Sequence, residues 1–332
     1  MAAHDDISAE ERLIARCFAP LATHPGALGL ADDAAVLSPP PGCDLVLTTD
    51  GVIAGVHFFA GDPPETIGRK ALRMNLSDLA AKGAQPAGFL LSIALSDGTN
   101  EAWLTAFAAG LGDDAEHYRC PLLGGDTDHT PGPISVSITA FGNVPHGKMV
   151  RRSTAKPGDR IVVTGTIGDA ALGVLLRREA GLAERLRLRE AASAQLQDRY
   201  LLPQPRNAVA AAVLQHASAA MDVSDGLAGD LAKLCRTSGV AAEVNVAQVP
   251  LSDAARAAVA ADPALLEAAL TGGDDYEILL TLPPERLEAF RKAASEAGVA
   301  ATEIGRIVAG QGARFMRDGK ALSFARPSFS HF

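Results

Sequence analysis

Residues 219–231 read AAMDVSDGLAGDL. The small, mostly apolar opening predicts a short strand over 219–223. The acid, hydroxyl, acid and glycine of Asp222, Ser224, Asp225 and Gly226 then break it, and a helix is expected over 225–237. Glycine lets a ligand approach the backbone closely. A helix that begins there offers backbone N–H groups and the positive end of its dipole, which favour phosphate. Ser224 or Asp225 acting only as a helix cap is the plainer reading of this one motif.

The same grammar recurs along the chain: GLADDAAVL with Asp32 and Asp33, LTTDG with Asp50, NLSDLAAKGA with Asp78, LLGGDT with Asp126, and LTGGDDYE with Asp274 and Asp275. Any one of these acids has a turn or cap explanation. The whole set does not, because carboxylates about 4 Å apart repel by roughly 4 kcal/mol at an effective dielectric of about 20. Asp, Thr hydroxyl and backbone carbonyl are hard oxygen ligands suited to Mg²⁺ or Ca²⁺ rather than zinc. Thr48, Thr49 and Asp50 gather such donors at an expected strand end, and Gly124, Gly125 and Asp126 form another strand-end turn.

Strands are also expected at 45–49, 87–95, 121–123 and 134–144, the last alternating Ile134, Val136 and Ile138 with Ser135, Ser137 and Thr139. Helices are expected at 7–18, opened by a Ser8/Glu11 capping box, at 64–82 and at 101–118. Leu72, Leu76 and Leu79 make the buried stripe of the second helix, while Asn75, Asp78 and Lys82 share another face. The Gly-, Pro- and Arg-rich stretch 146–159 predicts a domain boundary. Beyond it, strands are expected at 160–164, 242–246, 277–282 and 301–308, and helices at 169–179, 206–218 and 284–297. Alanine-rich residues 187–197 carry no assignment. Both halves mix strands and helices, so the expected class is α/β or α+β in two domains, 1–150 and 151–332.

The chain has 332 residues, 48% hydrophobic and 21% charged, with a net charge of −9. That balance excludes the basic footprint of a nucleic-acid surface, though bound cations reverse the sign of a local site. Four cysteines lie far apart without a CxxC pair, so neither a disulfide framework nor a zinc site is expected. The first residues are acidic and lack the apolar core of a secretory signal, and no apolar run is long enough to span a membrane. The expected location is the cytoplasm.

Arg151 and Arg152 are placed to fork onto phosphate or to sit as solvated linker charges. His57, among Val56, Phe58 and Phe59, is a half-buried histidine or a ligand. There is no GxxxxGK[ST] loop, no GxGxxG after a strand, no kinase HRD or DFG element and no GxSxG elbow. An ATP user of this kind holds phosphate through metals and glycine turns.

From GLADDAAVL through LTTDGVIAGVHF, NLSDLAAKGA, GGDT, RRSTAKPGD, VTGTIGD, MDVSDGL and GGDDYE to the terminal FSHF, the chain resembles the thiamine-monophosphate kinase family of the aminoimidazole ribonucleotide synthetase superfamily. The resemblance implies transfer of the γ-phosphate of ATP to thiamine monophosphate, giving thiamine diphosphate and ADP. It implies that Asp33, Thr48, Thr49, Asp50, Asp78, Asp126, Asp222 and Asp225 ligate several Mg²⁺ ions. Tyr118, Gly125, Asp126, Arg152 and Ser224 would contact ATP, and His57, Asp274 and Phe329 thiamine monophosphate. It also implies a homodimer in which the sheets of the N-terminal domains pair, and a C-terminal domain that completes the active site. No catalytic residue beyond the metal ligands is expected, since the attacking phosphate oxygen is already ionised and phosphoryl transfer needs positioning and charge neutralisation.

Asp274 stands where the family pattern has Glu, one methylene longer, and Phe329 keeps an aromatic face in the terminal motif. Gly51 replaces a larger residue after Asp50. A sibling enzyme that uses ATP to activate a carbonyl or thiocarboxamide oxygen is the second reading. A non-catalytic nucleotide or divalent-ion sensor is the third.

Overall fold

The computed structural model describes residues 8–326 and 328. The chain divides into two compact units, Met1–Leu79 with Gln85–Gly147 and Ala80–Ala84 with Lys148–Phe332. Both are mixed α/β, as the alternation of strand and helix signals predicts.

In the first unit, Ser8 caps α1 (Ala9–Leu13) by accepting from the Glu11 N–H, while the Glu11 carboxylate accepts from the Ser8 N–H. The expected helix continues only as a π turn, Ile14–Phe18. Then follow β1 (Cys43–Ile53), α2 (Pro64–Ala81), β2 (Gln85–Ser96), α3 (Glu101–His117), β3 (Leu122–Thr130) and β4 (Ser135–Pro145). The sheet order is β1-β4-β2-β3, antiparallel except for the parallel β2–β3 pair. Residues paired across it share a face. Thr48, Ala140 and Phe89 lie on one side, with Asp50, Ile138 and Leu91 beside them. Leu47 with Phe141, and Thr49 with Thr139 and Leu90, lie on the other. Phe89, Leu91, Val136 and Ile138 are buried, as are Leu72, Leu76 and Leu79 of α2. Helices α2 and α3 touch through glycine: a Cβ on Gly110 would stand 2.1 Å from the Glu65 carbonyl oxygen. Arg73 locks them with two bonds to Asp114 at 2.5 and 2.9 Å.

Two stretches expected to end a strand lie inside one. Strand β1 passes through Asp50 to Ile53, which pairs with Ser135. Strand β3 carries Gly124, Gly125 and Asp126 opposite Leu90, Leu91 and Ser92. Long neighbouring strands supply ladder partners that override the local turn preference of Gly and Asp.

The second unit holds β5 (Arg160–Thr164), β6 (Ala219–Asp222), β7 (Ala241–Asn245), β8 (Ile278–Leu282), β9 (Ala301–Val308), β10 (Gly312–Arg317) and β11 (Lys320–Ala321). They form one sheet, ordered β11-β10-β7-β9-β5-β8-β6. Its helices are α4 (Asp169–Arg178), α5 (Leu182–Arg185), α6 (Glu190–Leu201), α7 (Ala210–His216), α8 (Leu227–Ser238), α9 (Asp253–Ala261), α10 (Leu265–Thr271) and α11 (Leu287–Glu296). Strands β5 and β8 send alternate residues into two cores. Ile161, Val163 and Leu279 join Leu227, Leu231 and Leu234 of α8. Val162, Ile278 and Leu280 join Val213 of α7 and Phe290 of α11. Every residue of β8 is buried, as a strand covered on both faces requires. A third cluster, with Leu172, Leu196 and Ala258, is purely helical. Among the described residues no helix is long and apolar enough to cross a membrane.

Candidate active site

In the first unit, α2 and β1 bring Thr48, Asp50 and Asp78 to the same side of the sheet. The Thr48 hydroxyl donates to Asp78 Oδ2 at 2.5 Å. The Asp50 N–H donates to Asn75 Oδ1 at 3.1 Å, and Asn75 Nδ2 donates to the Ala71 carbonyl, which fixes the amide's orientation. Asn75 and Asp78 are one helical turn apart, so α2 presents both to β1. Thr49 belongs to the opposite face, where its hydroxyl donates to the Ile138 carbonyl and accepts from Thr139, each at 3.1 Å. The expected ligand set is thus divided over two sides of one strand.

On Thr49's side lies a cavity of about 710 Å³. Asp32, Asp33, Gly124, Gly125 and Asp126 give it a polar wall, while Phe18, Leu90 and Phe141 give it an apolar one. A Cβ on Gly125 would fall 1.8 Å from the Leu91 carbonyl oxygen, so only glycine lets the strand pass there. The cavity suits a ligand with an apolar ring and an anionic or metal-bound tail. Tyr118 ends α3, edge-on to His117, and is not among the residues that line the cavity.

His57 follows β1 in a tight turn. Its Nδ1 accepts from the Ile53 N–H at 3.1 Å, which leaves the proton of the neutral ring on Nε2 as a donor. Buried Lys70 donates to the His57 carbonyl at 3.0 Å.

In the second unit, the β6–β8 ladder continues past its formal ends. The Val223 N–H donates to the Glu277 carbonyl, the Tyr276 N–H to Val223 and the Asp274 N–H to Ser224, at 2.8–2.9 Å. Glycine permits this closeness: a Cβ on Gly273 would lie 2.2 Å from the Ser224 carbonyl oxygen. Asp274 and Tyr276 adopt left-handed φ values of 71° and 50°, costly for side-chain-bearing residues. Between them in sequence, buried Asp275 accepts from the Gly168 N–H at 2.9 Å. Burial pushes its carboxyl well above the usual range, against the pull of that N–H and of Arg199. Glu277, fully buried, is clamped by Arg199 at 3.0 Å and by Arg206 at 2.6 Å from Nε. Within the run 165–169, the Gly168 N–H is thus taken up by Asp275.

Asp222 is nearly buried at the end of β6. Asp230, fully buried on α8, accepts from the N–H groups of Ser224 and Asp225 at 3.0 and 2.9 Å. Lys233 pairs with both Asp225 and Asp230. Burial raises the Asp230 carboxyl, with Lys233 opposing it. Burial also works against the Lys233 ammonium, but its bonds to the two carboxylates prevail and raise it. Arg152 is anchored through its carbonyl by Ser238 at 2.9 Å, at the end of α8 remote from Ser224. A 12-residue helix spans about 18 Å, so the structure does not bring these two backbones together. Phe329 lies outside the described residues.

Among the described residues no three His, Cys, Asp or Glu side chains converge to hold a metal. The chemistry of the donors fits Mg²⁺ nevertheless, since Thr48, Asp50, Asp78, Asp126, Asp222 and Asp225 are all hard oxygen ligands. Sequence reasoning assigned no role to Lys70, Asp230, Lys233, Glu277 or its two arginines. Only Asp230 and Lys233 carried a local signal, helical spacing behind the SDG turn.

The AIR synthase related protein, N-terminal domain family matches residues 31–144, and the AIR synthase related protein, C-terminal domain family matches 156–318. Among curated proteins, the thiamine-monophosphate kinase of Caulobacter vibrioides is 43% identical over 322 residues, 96% of this chain and 89% of that protein. The crystal structure of thiamine-monophosphate kinase from Stenotrophomonas maltophilia K279a is 38% identical with a TM-score of 0.83, over 96% of this chain and 98% of that one. The structure of AaThiL complexed with AMPPCP and TMP is 32% identical with a TM-score of 0.77, over 91% of each chain. The fold and the strand-borne acids define an AIR synthase related protein, and within that class the chain belongs to the thiamine-monophosphate kinase family.

Proposed function

We propose that this chain transfers the γ-phosphoryl group of ATP to the phosphate of thiamine monophosphate, releasing ADP and thiamine diphosphate. Family membership carries the reading, and the glycine-walled cavity and the Thr48–Asp78 pair support it. An acceptor phosphate oxygen attacks the γ-phosphorus directly, and the bond to the bridging oxygen of ADP breaks with no phosphoenzyme. The acceptor oxygen is already ionised, so no strong base is needed.

The proposed ligands for several Mg²⁺ ions are Asp33, Thr48, Thr49, Asp50, Asp78 and Asp126 in the first unit and Asp222 and Asp225 in the second. When bound, such ions supply the positive charge that offsets repulsion among phosphates. Gly125 and Asp126, with Tyr118, Arg152 and Ser224, are assigned to ATP. His57 is assigned to the acceptor, with its Nε2–H aimed by the Ile53 amide. Asp274 and Phe329 complete the acceptor set. Residues 1–150 are assigned to nucleotide, metal and dimer contacts, and 151–332 to the remaining ligands. We also assign a cytoplasmic location, supported by four free cysteines, and a homodimer through the open sheet face that exposes Leu47 and Leu90.

The test is ADP release under Mg²⁺ with thiamine monophosphate, thiamine or an aminoimidazole precursor as acceptor. Turnover with thiamine monophosphate alone is expected, and turnover only with another acceptor overturns the proposal. A radiolabelled phosphoenzyme formed from ATP alone would refute direct transfer.

A further inference from the structure

We infer that Asp230 and Lys233 are positioning residues for the Ser224–Asp225 turn, with the Lys233 ammonium acting as a resident counter-ion that a divalent cation must displace from Asp225. The inference rests on reading Asp225 as a metal ligand.

Two consecutive backbone N–H groups, of Ser224 and Asp225, point at one oxygen of Asp230. They precede α8, whose cap residue Gly226 has no side chain to cap with. Asp230 reaches back from the helix's first turn to the two N–H groups that precede the cap. It thereby fixes the backbone from which Ser224 and Asp225 project. Both bonds end on a fully buried carboxylate, where an unmet N–H is costly. The other Asp230 oxygen accepts from Lys233 at 3.1 Å, and the same ammonium pairs with Asp225.

The arrangement is asymmetric. Asp230 is closed to solvent, whereas the side chains of Lys233 and Asp225 are 29% and 34% exposed. Lys233 can therefore swing outward while Asp230 keeps the turn in shape through its two N–H bonds. A cation arriving at Asp225 meets a carboxylate that is preformed but already paired. Lys233 thus raises the metal concentration at which Asp225 is taken, and reclaims it on release.

The test is a titration of the purified chain with Mn²⁺ alone, followed by electron paramagnetic resonance. The proteins are the native chain, Lys233→Met, Asp225→Asn and the double variant. Lys233→Met should tighten the Asp225-dependent site by roughly fivefold, the lower end of the coupling typical of interacting sites. In the Asp225→Asn background the same change should do nothing. Unchanged affinity in Lys233→Met, or an equal gain in both backgrounds, overturns the counter-ion role. If Asp225→Asn alone leaves Mn²⁺ binding intact, the metal-ligand reading itself falls. For Asp230, the Asn variant keeps an acceptor for both N–H groups and should retain native affinity for a non-hydrolysable ATP analogue. Asp230→Ala should lose about tenfold, as supporting residues do. Equal affinities for the two variants overturn the positioning role.

Discussion

The Asp274 N–H donates to the Ser224 carbonyl at 2.9 Å, so a residue assigned to the acceptor substrate hangs directly on a residue assigned to ATP. The two belong to loops about 50 residues apart in sequence, which the glycines at 226 and 273 allow to touch. Any shift of one loop is passed to the other through this bond and the two that Val223 makes with Tyr276 and Glu277.

Gly273→Ala tests the Asp274–Ser224 bond. Its new Cβ would stand 2.2 Å from the Ser224 carbonyl oxygen, against backbone that cannot rotate away. The loops must separate, and kcat/KM for both substrates should drop by about 100-fold, since a misplacement near 1 Å costs that much. Steady-state kinetics check this, and a loss confined to one substrate contradicts it.

Asp50→Asn removes a carboxylate without removing volume, and the backbone N–H to Asn75 survives the change. Turnover should fall by about 100-fold or more, beyond the usual loss for a supporting residue. The native circular-dichroism spectrum should persist. Full activity would remove Asp50 from the metal set.

Asp275 gives a pH dependence of definite sign. Burial holds its carboxyl well above the usual range, so the folded protein keeps a proton that the unfolded chain releases near about pH 4. Its contribution to stability is complete below that pH and is lost as pH rises through the raised folded value. Asp275→Asn retains an acceptor for the Gly168 N–H and has no proton to lose. The Tm of the variant relative to the native chain should climb as pH rises from about 4 in thermal melts. A flat or falling difference contradicts the assignment.

Leu47 is 60% exposed on the open sheet face. Placing a charge there disfavours burial against a second copy. Leu47→Glu should halve the mass seen by light scattering while leaving the monomer folded. A native chain that is already monomeric would refute the homodimer.

Strands at 160–164 and 301–308 were legible to the residue, as Arg160–Thr164 and Ala301–Val308, because turn signals bound them. The glycines at 124 and 125 misled, since strand length is set by neighbours such as β2 that the local sequence does not display. Helix α6 hid in the alanine-rich stretch, yet Leu196 is fully buried among Leu172 and Leu182. The division of the expected donors, Thr48 and Asp50 on one side of β1 and Thr49 on the other, was not legible, because the stretch 45–49 reads as ending where the ladder with β4 continues. The Glu277 clamp was invisible because its arginines lie 71 and 78 residues away in sequence.

Residues Ala80–Ala84 carry a consequence for anyone who dissects the chain. They group with the second unit although the first is not yet complete when they are made. Ala80 and Ala81 pack in the core with Val213 and Phe290, Lys82 bonds the Ala220 carbonyl at 2.8 Å, and Gly83 abuts Leu214. A fragment cloned from residue 148 onward would lack a piece of its own interior. An emerging chain likewise exposes that piece long before the rest of its core leaves the ribosome. A cut at the boundary expected from the sequence would leave a hole in the second unit's core and the missing piece stranded on the other fragment.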